Sequence, residues 1–209
     1  MSENLDAKAG GGGDDARRER IAQVAERIRE TITLDSSARV LEFGAGDGSL
    51  GFQLLPHVGH VTFADTSPEI VERLQRRVAE SRAGEAEAMQ LQEKAGDLTE
   101  DYDAIVSLMA LHRIEDYRTT VHNLADHLRP KGHLVLCDLA EEDDGQHRPD
   151  ASVHTRFLRD EVEALLRACG LVDVDVSTPD LRGGEPPAAA GGDEAARGAP
   201  VILARGRKP

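Results

Sequence analysis

Short apolar runs alternate with helical stretches along most of this chain, and that alternation limits the fold more than any other feature. Seven runs have the length and composition of buried or half-buried strands. Most are separated by segments with helical spacing, which is typical of an α/β fold with a mostly parallel sheet. The predicted strands cover residues 39–43, 60–64, 88–93, 102–107, 133–138, 171–177 and 201–205.

The end of the pattern is different, because only a loop separates the last two predicted strands. This loop, residues 178–200, is rich in Pro, Gly and Ala, and we interpret it as mobile. Two strands joined without a helix can pair antiparallel at one edge of the sheet. The predicted helices cover residues 16–32, 50–55, 68–81, 117–128 and 159–168.

The length of 209 residues fits one domain. Residues 1–15 are small, polar and glycine-rich, which predicts a disordered tail before a single domain over residues 16–209. The helix over 16–32 is amphipathic, and apolar residues recur at helical spacing on one side of it. These residues are Ile21, Val24, Ala25, Ile28 and Ile32.

Composition restricts the partners. The net charge of −14 disfavours phosphate backbones and anionic lipid surfaces, and an aromatic content of 3% leaves few platforms for stacking bases. We therefore expect no nucleic-acid or membrane partner.

No secretory signal and no apolar run of about 20 residues is recognisable, so we expect a cytoplasmic protein. The sequence does not predict its oligomeric state. Cys137 and Cys169 lie in apolar runs, and we interpret them as small buried hydrophobic residues.

A glycine-rich turn follows the first predicted strand, in the sequence RVLEFGAGDGSLG. In parallel sheets ligands bind at the carboxyl ends of the strands, and Gly44 and Gly46 permit positive φ and close approach of a ligand. The dinucleotide fingerprint G-x-G-x-x-G is not met, because Gly48 comes one residue early. Glu42 and Asp47 disfavour phosphate at this turn, which points to a ligand without phosphate.

Acids also stand beside two other predicted strands. Asp65 lies roughly 20 residues beyond the glycine turn, where an acid can accept both hydroxyls of a ribose. Ser67 is better placed than Asp65 to cap the helix that starts at Pro68. Asp97 can accept a hydrogen bond from a purine amine, and the backbone N–H of Leu98 can donate one to a ring nitrogen of the purine. The alternative for Asp97 is a turn residue that binds its own backbone.

Histidines provide the candidates for acid–base chemistry. His112 follows the fourth predicted strand, and His154 lies in the long polar segment 138–157, which is typical of a substrate lid. The same segment also contains Asp143, Asp144 and His147. The spacing of these groups fits no metal motif, so we expect no metal site.

The ordered series of these motifs resembles class I S-adenosylmethionine-dependent methyltransferases, and the resemblance covers most of residues 21–208. The chain segments similar to the family's motifs are VLEFGAGDG, VTFADTS, AGDL, YDAIVSLMALHRIED, LADHLRPKGHLVLCDL and RDEVEALLRACGLVDVDV. The resemblance implies a Rossmann-like, doubly wound, mostly parallel seven-stranded sheet with an antiparallel C-terminal edge strand. One departure is His112-Arg113, because many relatives have two histidines at these positions.

The resemblance also implies S-adenosylmethionine as cofactor and a set of residues that hold it. Glu42 would lie near the methionine moiety, and the other contacts would be Gly44, Ala45 and Gly46 beside the amino-acid tail, Asp65 and Thr66 at the ribose, Asp97 and Leu98 at the adenine, and Ser107 at the cleft backbone. Because the sulfonium already activates the methyl group, the protein mainly aligns donor and acceptor. A base, His112 or His154, is needed only for an acceptor that must lose a proton early.

The acceptor is expected to be a small molecule, but its identity is not encoded in any recognisable motif. Two other functions stay open at this point. One is a nicotinamide-dependent oxidoreductase, which the misplaced third glycine and Glu42 disfavour. The other is a non-catalytic module that keeps S-adenosylmethionine binding without turnover.

Overall fold

The computed structural model describes residues 11–81, 85–140, 156–179 and 200–209. Within these ranges the chain forms five α-helices, two short 3-10 helices and seven strands. The helices are α1 (Gly11–Thr31), α2 (Ser49–Leu54), α3 (Pro68–Glu80), α4 (Tyr117–Asp126) and α5 (Arg159–Ala168). The strands are β1 (Arg39–Phe43), β2 (His60–Asp65), β3 (Glu85–Gln90), β4 (Tyr102–Leu108), β5 (Leu128–Leu139), β6 (Val172–Ser177) and β7 (Val201–Arg207).

All seven strands form one sheet in the order β3-β2-β1-β4-β5-β7-β6. Strands β1 to β5 pair in parallel, and β7 pairs antiparallel with both β5 and β6. The predicted α/β, Rossmann-like fold with a mostly parallel seven-stranded sheet is confirmed, as is the antiparallel pairing of the last two strands. The C-terminal strand β7 lies one position inside the edge, and β6 is outermost. Strand order reverses between β1 and β4, which is where ligands bind in such sheets.

The sheet separates two apolar cores. One core packs α4 and α5 against one face, and the other packs α1, α2 and α3 against the opposite face. The apolar stripe predicted for α1 is buried there, and Ile21, Val24, Ala25, Ile28 and Ile32 are each at most 4% exposed. Burial of this stripe fixes α1 across the sheet. The N-terminal turns of α1 therefore lie near the carboxyl ends of the strands.

Two predicted boundaries are wrong in ways that matter for the site. Helix α1 begins at Gly11, so residues 11–15 are helical and not part of a disordered tail. Once the buried part of a helix is formed, each further residue adds one hydrogen bond, and an acid such as Asp15 is favourable near a helix N-terminus. Strand β3 covers Glu85–Gln90 and not 88–93, because pairing of Ala86 with Val61 and of Ala88 with Phe63 fixes its register on β2.

Several predictions concern residues outside the described ranges, among them the tail over residues 1–10 and most of the segments 138–157 and 178–200. Of the two cysteines, Cys137 is buried as predicted, whereas Cys169 is half-buried, and both are free thiols. Among the described helices, none combines the length and the apolarity that crossing a membrane requires.

Candidate functional site

A cleft of about 430 Å³ opens at the carboxyl ends of β1, β2 and β4, where the strand order reverses. Five parts of the chain form its walls: the glycine turn after β1 with the start of α2, the end of β2 with the start of α3, the turn after β3, the connection from β4 to α4, and α1 near its N-terminus. Of the residues predicted to bind a cofactor, the cleft is lined by Glu42, Gly44, Ala45, Gly46, Asp65 and Thr66.

Asp65 joins two of these walls. Its Oδ2 accepts a hydrogen bond of 2.9 Å from the backbone N–H of Gly46, and its Oδ1 accepts one of 3.0 Å from the N–H of Ser67. Ser67 caps α3 by accepting from the N–H of Ile70, as predicted. The carboxylate of Asp65 is thus anchored to the backbone on both sides and still lines the cleft. Each carboxylate oxygen has two lone pairs, so these bonds leave acceptor capacity.

The glycine turn has the backbone conformation that the sequence predicted. Gly44 and Gly46 have φ values of 68° and 56°, in the left-handed region that glycine favours. Gly44 also approaches the connection after β4 very closely. A Cβ atom at position 44 would lie 2.3 Å from the Cβ of Ala110, which is closer than carbon atoms can pack. The floor of the cleft therefore requires glycine at this position.

Glu42 is buried at the end of β1, and its Oε2 accepts a hydrogen bond of 2.9 Å from the N–H of Gly51. Loss of hydration raises the pKa of this carboxyl to about 8, although the hydrogen bond from Gly51 acts in the opposite direction. Near neutral pH the group is therefore mostly protonated. A cationic group placed beside it would favour its ionised form.

The second acid of the turn, Asp47, has a partner within the protein. Arg17 of α1 donates a hydrogen bond of 2.7 Å to Asp47 Oδ2, and Ser49 N–H donates to Oδ1. Partial burial raises the pKa of Asp47, but the hydrogen bonds and the charge of Arg17 outweigh it and hold the pKa below its ordinary value. The acid inside the glycine turn therefore connects α1 to the cleft wall.

Asp97 and Leu98 are not among the residues that line the cleft. Both carboxylate oxygens of Asp97 accept from the backbone N–H of Gln92, at 3.0 and 3.2 Å, and Leu98 is buried in the core. Asp97 thus binds backbone within its own turn, which was the alternative to a contact with the purine. Because β3 ends at Gln90, the turn just after it reaches the cleft, and Glu93 lines the wall there.

The wall opposite the glycine turn comes from the end of β4 and the residues after it. Leu108, Met109 and Ala110 line the cleft, and Met109 has a positive φ of 55°. Ser107, predicted at this position, is 2% exposed and does not line the cleft. Its hydroxyl has no hydrogen-bond partner within the described part of the chain. The residues that follow Ser107 therefore form this wall, and Ser107 itself does not.

His112 forms a buried pair with Asp138 at the end of β5. The distance between His112 Nδ1 and Asp138 Oδ1 is 2.7 Å, and the two residues are 4% and 2% exposed. The Nε of Arg113 donates to His112 Nε2 at 3.3 Å, and Arg113 lines the cleft whereas His112 does not. The catalytic role of His112 stays a prediction, and His154 lies outside the described residues together with Asp143, Asp144 and His147.

The structure brings residues to the cleft that the sequence did not single out. Glu93 was missed because β3 was placed three residues too late. The sequence analysis mentioned Arg113 only because many relatives have histidine at that position. The positive charge of this residue was the feature that could have identified it as a site residue. Arg17 was missed because the amphipathic pattern of its helix identifies the buried apolar face and gives no role to individual charged residues. Within the described residues, no three metal-ligating side chains cluster.

Comparisons with known proteins agree with this geometry. A family model described as a methyltransferase domain matches residues 41–134, the part that contains the glycine turn, Asp65 and His112. An uncharacterized methyltransferase of Mycobacterium bovis is 36% identical over 100 residues, which are 46% of this chain and 48% of that protein. The chain therefore matches only about half the length of this curated relative.

Solved structures extend the similarity to the whole fold. The YcgJ protein of Bacillus subtilis superimposes with a TM-score of 0.68 at 20% identity, over 89% of this chain and 98% of that one. Magnesium protoporphyrin IX methyltransferase from Synechocystis PCC 6803, solved with bound SAH, gives a TM-score of 0.67 at 14% identity, over 100% and 90% of the two chains. At these identities the likeness establishes the fold.

Proposed function

We propose that the chain transfers a methyl group from S-adenosylmethionine to a small-molecule acceptor, because a methyltransferase-domain model matches residues 41–134 and a curated methyltransferase is 36% identical over 100 residues. One observation carries the proposal. A glycine turn, anchored to Asp65 and preceded by the buried acid Glu42, lines a cleft at the point where strand order reverses. The match to a methyltransferase-domain model also favours methyl transfer over the nicotinamide-dependent alternative.

The residues present fit this cofactor. The cleft has the volume of a small-molecule site, and the absence of side chains at Gly44 and Gly46 leaves its floor open to a ligand. Glu42 provides a carboxyl group in a site that a cation would ionise, and S-adenosylmethionine carries both a sulfonium and an ammonium. Four acids line this cleft, which suits a cationic ligand without phosphate. They are Glu42, Asp47, Asp65 and Glu93.

We assign the cofactor contacts by position in the cleft. Glu42 and the turn from Gly44 to Gly46 would hold the methionine end. Asp65, with Thr66 beside it, would accept the ribose hydroxyls while it keeps its bond to Gly46. Glu93 replaces Asp97 as the acid proposed for the purine end, because Glu93 lines the wall and Asp97 is bonded to Gln92.

When bound, S-adenosylmethionine would supply an activated methyl group for transfer to a nucleophilic atom of the acceptor. The chain's own contribution is then to align the acceptor with that methyl group and to exclude water. The apolar residues Met109 and Ile114 also line the cleft, and we assign them to the side that would receive the acceptor.

His112 is the described candidate for a base. A neutral imidazole that donates Nδ1–H to Asp138 presents Nε2 as an acceptor, which is the form able to take up a proton. In this structure Nε2 accepts from Arg113, so an acceptor would reach His112 only past that side chain.

Calorimetric titration tests the proposal. We expect S-adenosylhomocysteine to bind the full chain at a single site and NAD not to compete with it. Methyl transfer from labelled S-adenosylmethionine to a panel of metabolites then tests turnover. Binding of NAD in place of S-adenosylhomocysteine would refute the assignment, and cofactor binding without transfer to any acceptor would favour the non-catalytic module.

A further inference from the structure

A second groove, of about 570 Å³, lies at the edge of the sheet opposite the cleft proposed for the cofactor. It is formed where β1 and β4 begin, beside the first half of β5 and the end of β7, and we call it the amino-edge groove. Strand β4 runs between the two edges, and its seven residues span about 20 Å at about 3.3 Å per residue. A ligand in this groove would therefore be separate from the cofactor and from the methyl acceptor.

Lys131 lines the amino-edge groove in a backbone conformation that side chains disfavour. Its φ is 67°, in the left-handed region. The C-terminal segment fixes this turn, because the N–H of Lys131 donates to Lys208 O at 3.1 Å and the N–H of Lys208 donates to Gly132 O at 2.8 Å. The ammonium group of Lys131 is exposed and has no partner within the described residues. Strained residues of this kind are concentrated at binding sites.

His133, two residues further along β5, lines the same groove. Its Nδ1 is shielded from solvent and has no hydrogen-bond partner in the part of the chain that the structure describes. Buried polar atoms are nearly always hydrogen-bonded, so such an atom indicates a partner from outside the chain. Burial and the charges of Arg205 and Arg207 lower the pKa of the imidazole, although Asp173 acts in the opposite direction. The ring is therefore mostly neutral near pH 7 and can still donate one hydrogen bond.

The other charged groups of the groove already have partners. Asp35 Oδ1 accepts two hydrogen bonds of 2.7 Å from Ser37, and Asp103 Oδ2 accepts one of 2.8 Å from Arg129. Neither acid has a buried oxygen that lacks a partner. The guanidinium of Arg207 is paired with a carboxylate of β6 at 2.8 Å. The donors that remain for a ligand are thus the ammonium group and the imidazole described above.

We propose that the amino-edge groove binds the oxyanion group of a small molecule, a carboxylate or a phosphate, between Lys131 and His133. The ammonium group supplies the charge and up to three donors, and the imidazole supplies one more. The exposed hydroxyl group of Thr33 lines the same groove. The volume exceeds that of the anion alone and leaves room for an organic body. Since the chain's net charge of −14 disfavours anions in general, saturable binding here would depend on these local contacts.

The test uses the full chain and follows the imidazole resonances by NMR. Inorganic phosphate, acetate, phenyl phosphate and benzoate are each titrated at pH 7 and constant ionic strength. We expect a saturable shift of the His133 resonance, which is assigned by its absence from His133→Phe. Lys131→Gln should weaken binding by about tenfold, the value of one charge-assisted contact. The tighter binder of phenyl phosphate and benzoate identifies the oxyanion that the groove prefers.

Three variants separate binding from folding and from general charge effects. Lys131→Gly relieves the left-handed backbone, so its melting temperature should not fall below that of wild type although anion binding is lost. His133→Phe replaces an unpartnered polar atom by an apolar ring of similar shape, and it should likewise keep its stability while the affinity falls severalfold. Lys94→Gln removes the same charge from an exposed pair with Asp116 and should keep the full affinity.

Three results would overturn the proposal. They are the absence of saturable binding of all four anions by wild-type protein, undiminished affinity in Lys131→Gly, and a loss in Lys94→Gln as large as that in Lys131→Gln. Saturation with S-adenosylhomocysteine should leave the anion affinity unchanged, and competition between the two would place the anion in the other cleft and refute this site. Failure of the protein to bind S-adenosylhomocysteine would refute the proposed function alone, so the two failures are distinguishable.

Discussion

Asp65 Oδ2 accepts a hydrogen bond of 2.9 Å from the backbone N–H of Gly46, and this bond joins the end of β2 to the glycine turn after β1. Nineteen residues separate the two in sequence. The same carboxylate faces the cleft, so one side chain both shapes the turn and is available to a ligand. Its structural and its proposed binding role are therefore coupled.

Asp65→Ala should raise the dissociation constant of S-adenosylhomocysteine by at least about tenfold, because charge-assisted hydrogen bonds each contribute about 1.5–3 kcal/mol. The melting temperature should also fall, since the N–H of Gly46 loses its acceptor. Titration calorimetry and thermal unfolding measure the two effects. Asp101→Ala, an exposed acid paired with His127, is the control. Cofactor affinity in Asp65→Ala equal to that of wild type would contradict the ribose assignment.

Gly44→Ala should lower the free energy of unfolding by ~2–4 kcal/mol and abolish tight S-adenosylhomocysteine binding. A left-handed backbone costs about 1–2 kcal/mol for alanine, and the contact at 2.3 Å with Ala110 adds the cost of overpacking. Urea denaturation provides the measurement.

Gly170→Ala is the matched control for this substitution. Gly170 has a φ of 77° but nothing within 4 Å of its added Cβ, so only the backbone cost of about 1–2 kcal/mol is expected. Equal destabilisation by the two variants would show that the close contact between positions 44 and 110 does not contribute to the loss of stability.

The buried carboxyl of Glu42 should make stability depend on pH. Its pKa in the fold is raised to about 8 from an ordinary value of 4.5, so folding favours the protonated form. That contribution is complete below about pH 4.5 and is lost as pH rises towards about pH 8, at no more than about 1.4 kcal/mol per pH unit.

Glu42→Gln removes this titration and keeps a side-chain oxygen for the N–H of Gly51. The stability of the variant relative to wild type should therefore rise between about pH 5 and pH 8, which urea denaturation at several pH values measures. Parallel pH profiles of the two proteins would mean that Glu42 is already ionised in the fold.

Glu93 and Asp97 make opposite predictions for the purine end of the cofactor. Glu93→Gln should weaken S-adenosylhomocysteine binding by about fivefold to tenfold, since an exposed carboxylate contact contributes about 1 kcal/mol. Asp97→Asn should have the smaller effect, because Asp97 binds the backbone of Gln92. Calorimetric titration of both variants decides between them. The reverse order would restore the assignment made from the sequence.

His112→Ala should lower turnover more than cofactor affinity, because His112 contacts Arg113 and Asp138 and does not line the cleft that is proposed for the cofactor. Steady-state rates, once an acceptor is found, and S-adenosylhomocysteine titration provide the two readings. A general base or a positioning residue would each reduce the rate by tenfold or more, on the order of 10²–10⁴ for a base. Wild-type turnover in this variant would remove His112 from the mechanism.

Local sequence patterns predicted the elements well where one periodicity dominates. The stripe from Ile21 to Ile32 fixed α1 and its buried face, and Ser67 with Pro68 marked the start of α3. Strand β3 was misplaced because it lies at the edge of the sheet, and its residues alternate between charged and small. Its position follows from pairing with β2, which a local pattern does not contain.

The candidate site likewise contains some features that local sequence patterns predict and others that depend on tertiary contacts. The sequence by itself determined the fold class, the glycine turn and the acids Glu42 and Asp65, because these depend on short-range backbone requirements and on where strands end. Only the tertiary structure decided that Arg17 pairs with Asp47, that Glu93 and not Asp97 lines the cleft, and that Asp138 and His112 hold Arg113. These contacts join residues that strand register and helix packing bring together, and no spacing along the chain specifies them.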